Sequence, residues 1–149
     1  MKKYEVLNPV ISLVEEEEIE YNEKKDFTTL QCWQCAKETK LFFYKKIIPV
    51  LPKEENFSLK FQIRKAAVSA TANIAEGYGR FYYQEGIQFY RISRGSIYEL
   101  KDHLITCFDL NYIDMKLYDE GLMLIETTKK ILNGYIKFVK NQKKNSENK

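Results

Sequence analysis

From residue 26 onward the apolar positions of this chain recur at intervals of three and four, the period of an α-helix. Phe27, Leu30, Trp33, Ala36, Phe43 and Ile47 make the first run. Asp26 stands where an N-cap belongs, and Pro49 and Pro52 stop the run because proline supplies no N–H and clashes with the preceding turn. After the loop PVLPKEENFS, with Ser58 as the next cap, comes a stripe rich in small residues: Ile63, Ala66, Ala67, Ala70 and Ile74. Gly77 and Gly79 read as its left-handed stop. A third run carries Ile87, Tyr90, Ile97, Leu100, Leu104, Cys107 and Phe108 inward, with Gly86 and Gly95 retained for close packing. Asp114 caps a fourth run through Tyr118, Leu122, Ile125, Leu132, Tyr135, Ile136 and Val139. The pattern predicts helices over 26–48, 58–78, 83–111 and 114–140, joined by short loops. Four amphipathic helices so connected pack best as an all-α, antiparallel up-down-up-down four-helix bundle.

The flanks lack this period. Residues 1–25 hold Tyr4, Val6, Leu7, Val10, Ile11, Leu13 and Val14, then the run Glu15 to Glu18. They read as an acidic N-terminal extension, a short strand or arm at most. Residues 141–149 read as a basic, disordered tail. The domain plan is thus an extension over 1–25, a bundle over 26–140 and the tail.

Composition narrows the class further. The chain has 149 residues, 44% of them hydrophobic and 30% charged, which suits one globular domain. No apolar run approaches the roughly 18 residues of a membrane span, and the N-terminus is a poor signal peptide. Three cysteines, an odd number, fit a reducing compartment, so the expected location is cytoplasmic. The net charge of +3 conceals an asymmetry. Residues 1–26 set four lysines against eight acids, or −4, and residues 27–149 carry the other 20 bases and 13 acids, or +7. A basic body of this kind meets a polyanion or is simply well solvated.

Few constellations carry chemistry. Cys32 and Cys35 form a CxxC, and His103 and Cys107 are four apart on the third helix. Their types suit zinc. In the expected topology, however, the first and third helices run parallel, and at 1.5 Å per residue the two pairs differ in height by roughly 15–20 Å. No metal or cofactor is expected, and the cysteines read as small buried residues. Glu76 and Arg80 stand at ion-pair spacing, and Glu99 or Asp102 offers Arg94 a partner. There is no nucleophile elbow and no phosphate-binding loop. The chain is expected not to be an enzyme. Arg64, Lys65, Arg80, Arg91 and Arg94 are the candidate nucleic-acid-binding residues, with Phe81, Tyr82 and Tyr83 beside Arg80. Aromatics exceed what four seams take up, so Trp33, Phe42, Tyr82, Tyr83 and Phe89 are candidate contacts between subunits.

The segment from Gln62 to Ser69, followed by Ala72-Asn73-Ile74-Ala75-Glu76-Gly77-Tyr78-Gly79-Arg80, resembles the signature of the bacterial four-helix-bundle family named for 23S rRNA intervening sequences. Trp33 and Ala36, Pro52 to Glu55, Gly95-Ser96 and Glu99-Leu100 extend the likeness over about residues 27–140. Asn73, Glu76, Gly77 and Gly79 are the structural motif by that resemblance. It implies a homopentamer with no known enzymatic activity. It also implies a kinship to the accessory variability determinant of diversity-generating retroelements, a basic pentamer that binds a reverse transcriptase and nucleic acid. Two functions follow as expectations: an accessory protein that binds RNA or DNA through a basic surface, or a protein-interaction scaffold. Membrane is not among the expected partners.

Overall fold

The computed structural model describes residues 26–149. The expectations placed on residues 1–25 lie outside the described residues. Four helices account for most of the rest: α1 (Gln31–Phe42), α2 (Leu59–Gly79), α3 (Tyr83–Asp109) and α4 (Met115–Glu147). No strand occurs among the described residues, and no described helix is long and apolar enough to cross a membrane.

Contacts between helices show that neighbours run antiparallel. Between α2 and α3, Ser69 meets Ser96, Ala70 meets Ser93 and Gly77 meets Gly86. One residue number rises as the other falls. The same holds for α4 against α1, where Thr39 meets Thr128 and Lys46 meets Glu120. It holds again for α4 against α3, through Gln84–Lys143, Arg94–Asn133 and Lys101–Glu126. The chain therefore goes up, down, up and down, and α1 also lies against α2.

Helix boundaries follow local chemistry, with four departures from the sequence pattern. Asp26 caps a single 3-10 turn (Phe27–Thr29), its carboxylate accepting from Thr28 N at 2.9 Å, rather than α1 itself. Beyond Phe42 the helix widens into a π turn over Phe43–Ile47 and closes with a 3-10 turn that holds Pro49. This keeps Phe42, Phe43, Ile47 and Ile48 all buried. Ser58 does hold the N-cap position of α2, but its side chain caps nothing. Glu55 turns back instead, accepting from Leu59 N at 3.1 Å and from Ser58 Oγ at 2.5 Å. Those bonds hold the Glu55 carboxyl below the usual range, the Ser58 hydroxyl contributing most. Asp114 does cap α4, accepting from Leu117 N at 2.8 Å. Finally, α4 does not fray at 140. It continues to Glu147, through most of the lysine-rich tail.

The core has two apolar clusters. One gathers Phe43, Ile47, Ile63, Ala67, Ile97, Leu104 and Ile125, and the other Leu30, Ala36, Ile74, Ile87, Tyr90 and Leu132. Between them lies a layer of hydroxyls, one from each helix: Thr39, Thr71, Ser93 and Thr128, all buried. Thr39 and Thr128 share a 2.9 Å hydrogen bond. Ser93 Oγ donates to Ala70 O at 2.6 Å, and Lys40 Nζ donates to Thr71 Oγ1 at 3.1 Å. A buried hydroxyl costs free energy unless bonded, so this layer favours the one register in which all four find partners.

Candidate nucleic-acid interface

The sequence pattern nominates five cations, and their surroundings divide them. Arg80 is engaged within the chain. Its guanidinium meets Glu76 at 2.9 Å and Glu85 at 3.7 Å, and it lies 5.2 Å from the centre of the Phe89 ring. Arg94 is also engaged, but not with Glu99 or Asp102 as its spacing suggests. Nη1 donates to Asn133 Oδ1 at 3.0 Å, because the neighbouring α4 presents an amide there. Arg64, Lys65 and Arg91 remain exposed, with no ion pair or side-chain hydrogen bond among the described residues.

Helix α4 adds cations that the sequence pattern does not nominate, one of which, Lys144, falls in the segment expected to be a disordered tail. Lys130, Lys137, Lys140 and Lys144 are all exposed. Their spacings of seven, three and four place them on one face of α4. No acid pairs with any of these four among the described residues. Once helix continuity is known, that spacing is the signal that finds them.

The aromatic candidates also divide. Phe42 is 5% exposed and stacks edge-on against Phe43 in the core, so it is taken up within the chain. Trp33 is half-buried against Phe27, and Phe89 lies under Arg80. Tyr82 and Tyr83 do face solvent, next to exposed Phe81. Two aromatics that the pattern passes over are exposed at the opposite end of α2. Phe57 is 97% exposed and Phe61 54%. Phe61 falls off the buried Ile63–Ala66–Ala70 stripe, and that misfit with the helical period is the signal that marks it.

Of the motif residues of α2, Asn73 and Gly77 serve its packing on α3. Asn73 Nδ2 donates to Ser69 O at 2.9 Å and lies 2.8 Å from Ser69 Oγ, and Ser69 Oγ bonds Ser96 Oγ at 2.7 Å. Glu76 holds Arg80 at the helix end. Gly77 permits close approach: a Cβ there would lie 2.7 Å from the Tyr90 ring and 3.0 Å from Gly86 O. Neither Gly77 nor Gly79 is left-handed. The positive φ of this turn falls on Phe81, at 58°. Gly95, expected to sit in a close contact, faces open space, as does Gly79.

The cysteines are distributed rather than gathered. Cys32 belongs to one core cluster and Cys107 to the other. Burial pushes the Cys35 thiol up to about 11, with help from Glu38, and the Cys107 thiol up to about 12, with help from Glu55. Thiols held protonated in this way are poor ligands and nucleophiles at neutral pH. Among the described residues no group of three or more His, Cys, Asp or Glu is placed to hold a metal ion. An open pocket of about 410 Å³ lies between Lys46, Tyr112, Lys116 and Glu120, but Lys46 is already paired with Glu120 at 2.5 Å.

A comparison with curated proteins finds no match. The family described as 23S rRNA-intervening sequence protein matches residues 28–134, which span α1, α2, α3 and most of α4. With its Asn73-to-Gly79 motif closing the α2–α3 seam of a four-helix bundle, the chain belongs to the 23S rRNA-intervening sequence protein family.

Proposed function

We propose that this chain is a non-enzymatic accessory protein that associates with itself and holds RNA or DNA on its basic outer faces. The reading rests on seven outward cations, Arg64, Lys65, Arg91, Lys130, Lys137, Lys140 and Lys144, that no acid neutralises among the described residues. A phosphate backbone supplies the missing counter-charges and releases condensed cations as it binds. Self-association uses the exposed corner Phe81–Tyr82–Tyr83, and the assembly that the family resemblance implies is a homopentamer. Each cationic face then repeats around the ring, so weak contacts reinforce one another.

Gel shifts with structured RNA and with duplex DNA at low and moderate salt test the reading. Binding that falls steeply with salt supports it. Reversal of Arg64, Lys65, Lys137 and Lys140 to Glu should abolish binding without changing the native mass. A wild-type chain that binds neither nucleic acid at low salt overturns this reading in favour of a protein-interaction scaffold, for which the exposed aromatic corner is the supporting feature. Native mass spectrometry tests the assembly, and a monomer at micromolar concentration overturns it.

A further inference from the structure

We propose that the start of α2 is a site for single-stranded nucleic acid, in which Phe57 and Phe61 stack on bases while Arg64 and Lys65 hold the phosphates. The proposal deepens the reading of the protein as a nucleic-acid binder and rests on it. Phe57 precedes the helix by two residues and Phe61 lies in its first turn, and both rings stand out from the surface. Arg64 and Lys65 follow at three and four residues from Phe61, with exposed Val68 one turn further on, so all share one face. Lys53 and Lys60 flank the patch.

The local acids do not cancel these charges. Glu55 is turned inward, its carboxylate taken up by Ser58, Leu59 N and the Tyr112 hydroxyl. Glu54 and the ionised Glu55 together set two negative charges against four cations, Lys53, Lys60, Arg64 and Lys65. Such a face suits a polyanion that also offers flat apolar surfaces. In a two-fold contact a second copy of this chain would bring the same cations against the same cations, and interface centres are depleted in lysine.

Strandedness follows from the rings. The bases of a duplex are closed to side chains by their own stacking, whereas a single strand offers free base faces to an exposed aromatic ring. Two exposed phenylalanines therefore suit a strand whose bases are already unstacked. Every base has a π-face, so little sequence preference accompanies this contact.

The test measures binding of the full chain to fluorescent oligo-dT, oligo-rU and a DNA duplex of equal length, for wild type, Phe57→Ala/Phe61→Ala and Arg64→Glu/Lys65→Glu. The aromatic double variant should lose about tenfold or more in affinity for both single strands, keep its duplex affinity, and retain its melting temperature and native mass. The charge double variant should lose single-strand affinity and the salt dependence of what remains should flatten. Equal loss on dT and rU means that backbone and base faces are read; loss confined to rU narrows the ligand to RNA. An aromatic double variant that binds single strands like wild type overturns the proposal while leaving a basic, duplex-binding protein intact. A change in native mass instead identifies the patch as a contact between copies, which also overturns it. No binding of any probe by wild type removes the underlying reading itself.

Discussion

The two faces of α2 share one backbone and differ in everything that decides a role. The inner face carries Ile63, Ala66, Ala67, Ala70, Ile74 and Gly77, all buried. Each is small or compact because α3 lies close, and at Gly77 even a methyl group has no room. The outer face carries Phe61, Arg64, Lys65 and Val68, which are exposed. Folding of the described chain does not require them to be what they are. The helix therefore separates residues that hold the bundle from residues available to a partner, and substitutions a few positions apart should have opposite consequences.

The sharpest contrast is between Ile63 and Phe61. Ile63→Ala should leave a cavity at a fully buried site and cost about 2–5 kcal/mol. Phe61→Ala removes a larger side chain yet should stay within about 0.5 kcal/mol. Urea denaturation of the two variants checks both. Comparable losses would mean that the outer face is covered and that the comparison fails.

Two glycines on the same helix form the next pair. Gly77→Ala should cost about 1–3 kcal/mol by overpacking against Tyr90 and the Gly86 carbonyl. Gly79→Ala meets nothing within 4 Å and should instead stabilise by up to about 1 kcal/mol through helix propensity. Thermal melts that shift in opposite directions would sharpen the distinction; a destabilised Gly79→Ala would show that another chain approaches there.

The hydroxyl layer gives a smaller effect with a diagnostic form. Thr39→Val and Thr128→Val should each cost about 1 kcal/mol, since each removes one partner of a buried 2.9 Å hydrogen bond. The double variant should cost less than the sum of the two, because no hydroxyl is then left facing an apolar group. Strict additivity in the double-mutant cycle would show that the two hydroxyls act independently.

The smallest effect concerns the cap of α2. Glu55 has its pKa lowered in the folded chain from the ordinary 4.5, by the Ser58 hydroxyl first and Leu59 N next. Its contribution is complete above the unfolded value and is lost as the pH falls through the lower, folded one. Glu55→Gln should therefore lower the urea midpoint slightly at neutral pH and flatten its acid-side decline below about pH 4.5, so that variant and wild type converge in acid. A decline unchanged from wild type would show that another carboxylate governs it.

Much of this molecule was legible in the chain because apolar period and capping act over a few residues. The spacing of Ile63, Ala66, Ala70 and Ile74 fixes which side of α2 is inside, and Asp114 stands at the start of α4 as its type demands. Four helices and short loops leave the bundle as the natural packing. The i,i+4 pair of Glu76 and Arg80 was equally local. What the sequence could not settle involves partners far apart in the chain or choices between near-equal local options. Thr39 meets Thr128 across 89 positions, and nothing near either residue announces the other. Arg94 had two acids nearby on its own helix, yet bonds an amide on α4. Ser58 stands at the N-cap of α2 as its type suggests, yet the side-chain bond to Leu59 N comes from Glu55, whose carboxylate is held also by Tyr112 from the loop after α3. The tail beyond residue 140 has no inward period to predict its helix, but the continuation of α4 aligns Lys144 with Lys130, Lys137 and Lys140. Short-range periodicity writes the inside of each helix into the sequence, whereas which exposed charges remain unpaired depends on what neighbouring helices bring to them in three dimensions.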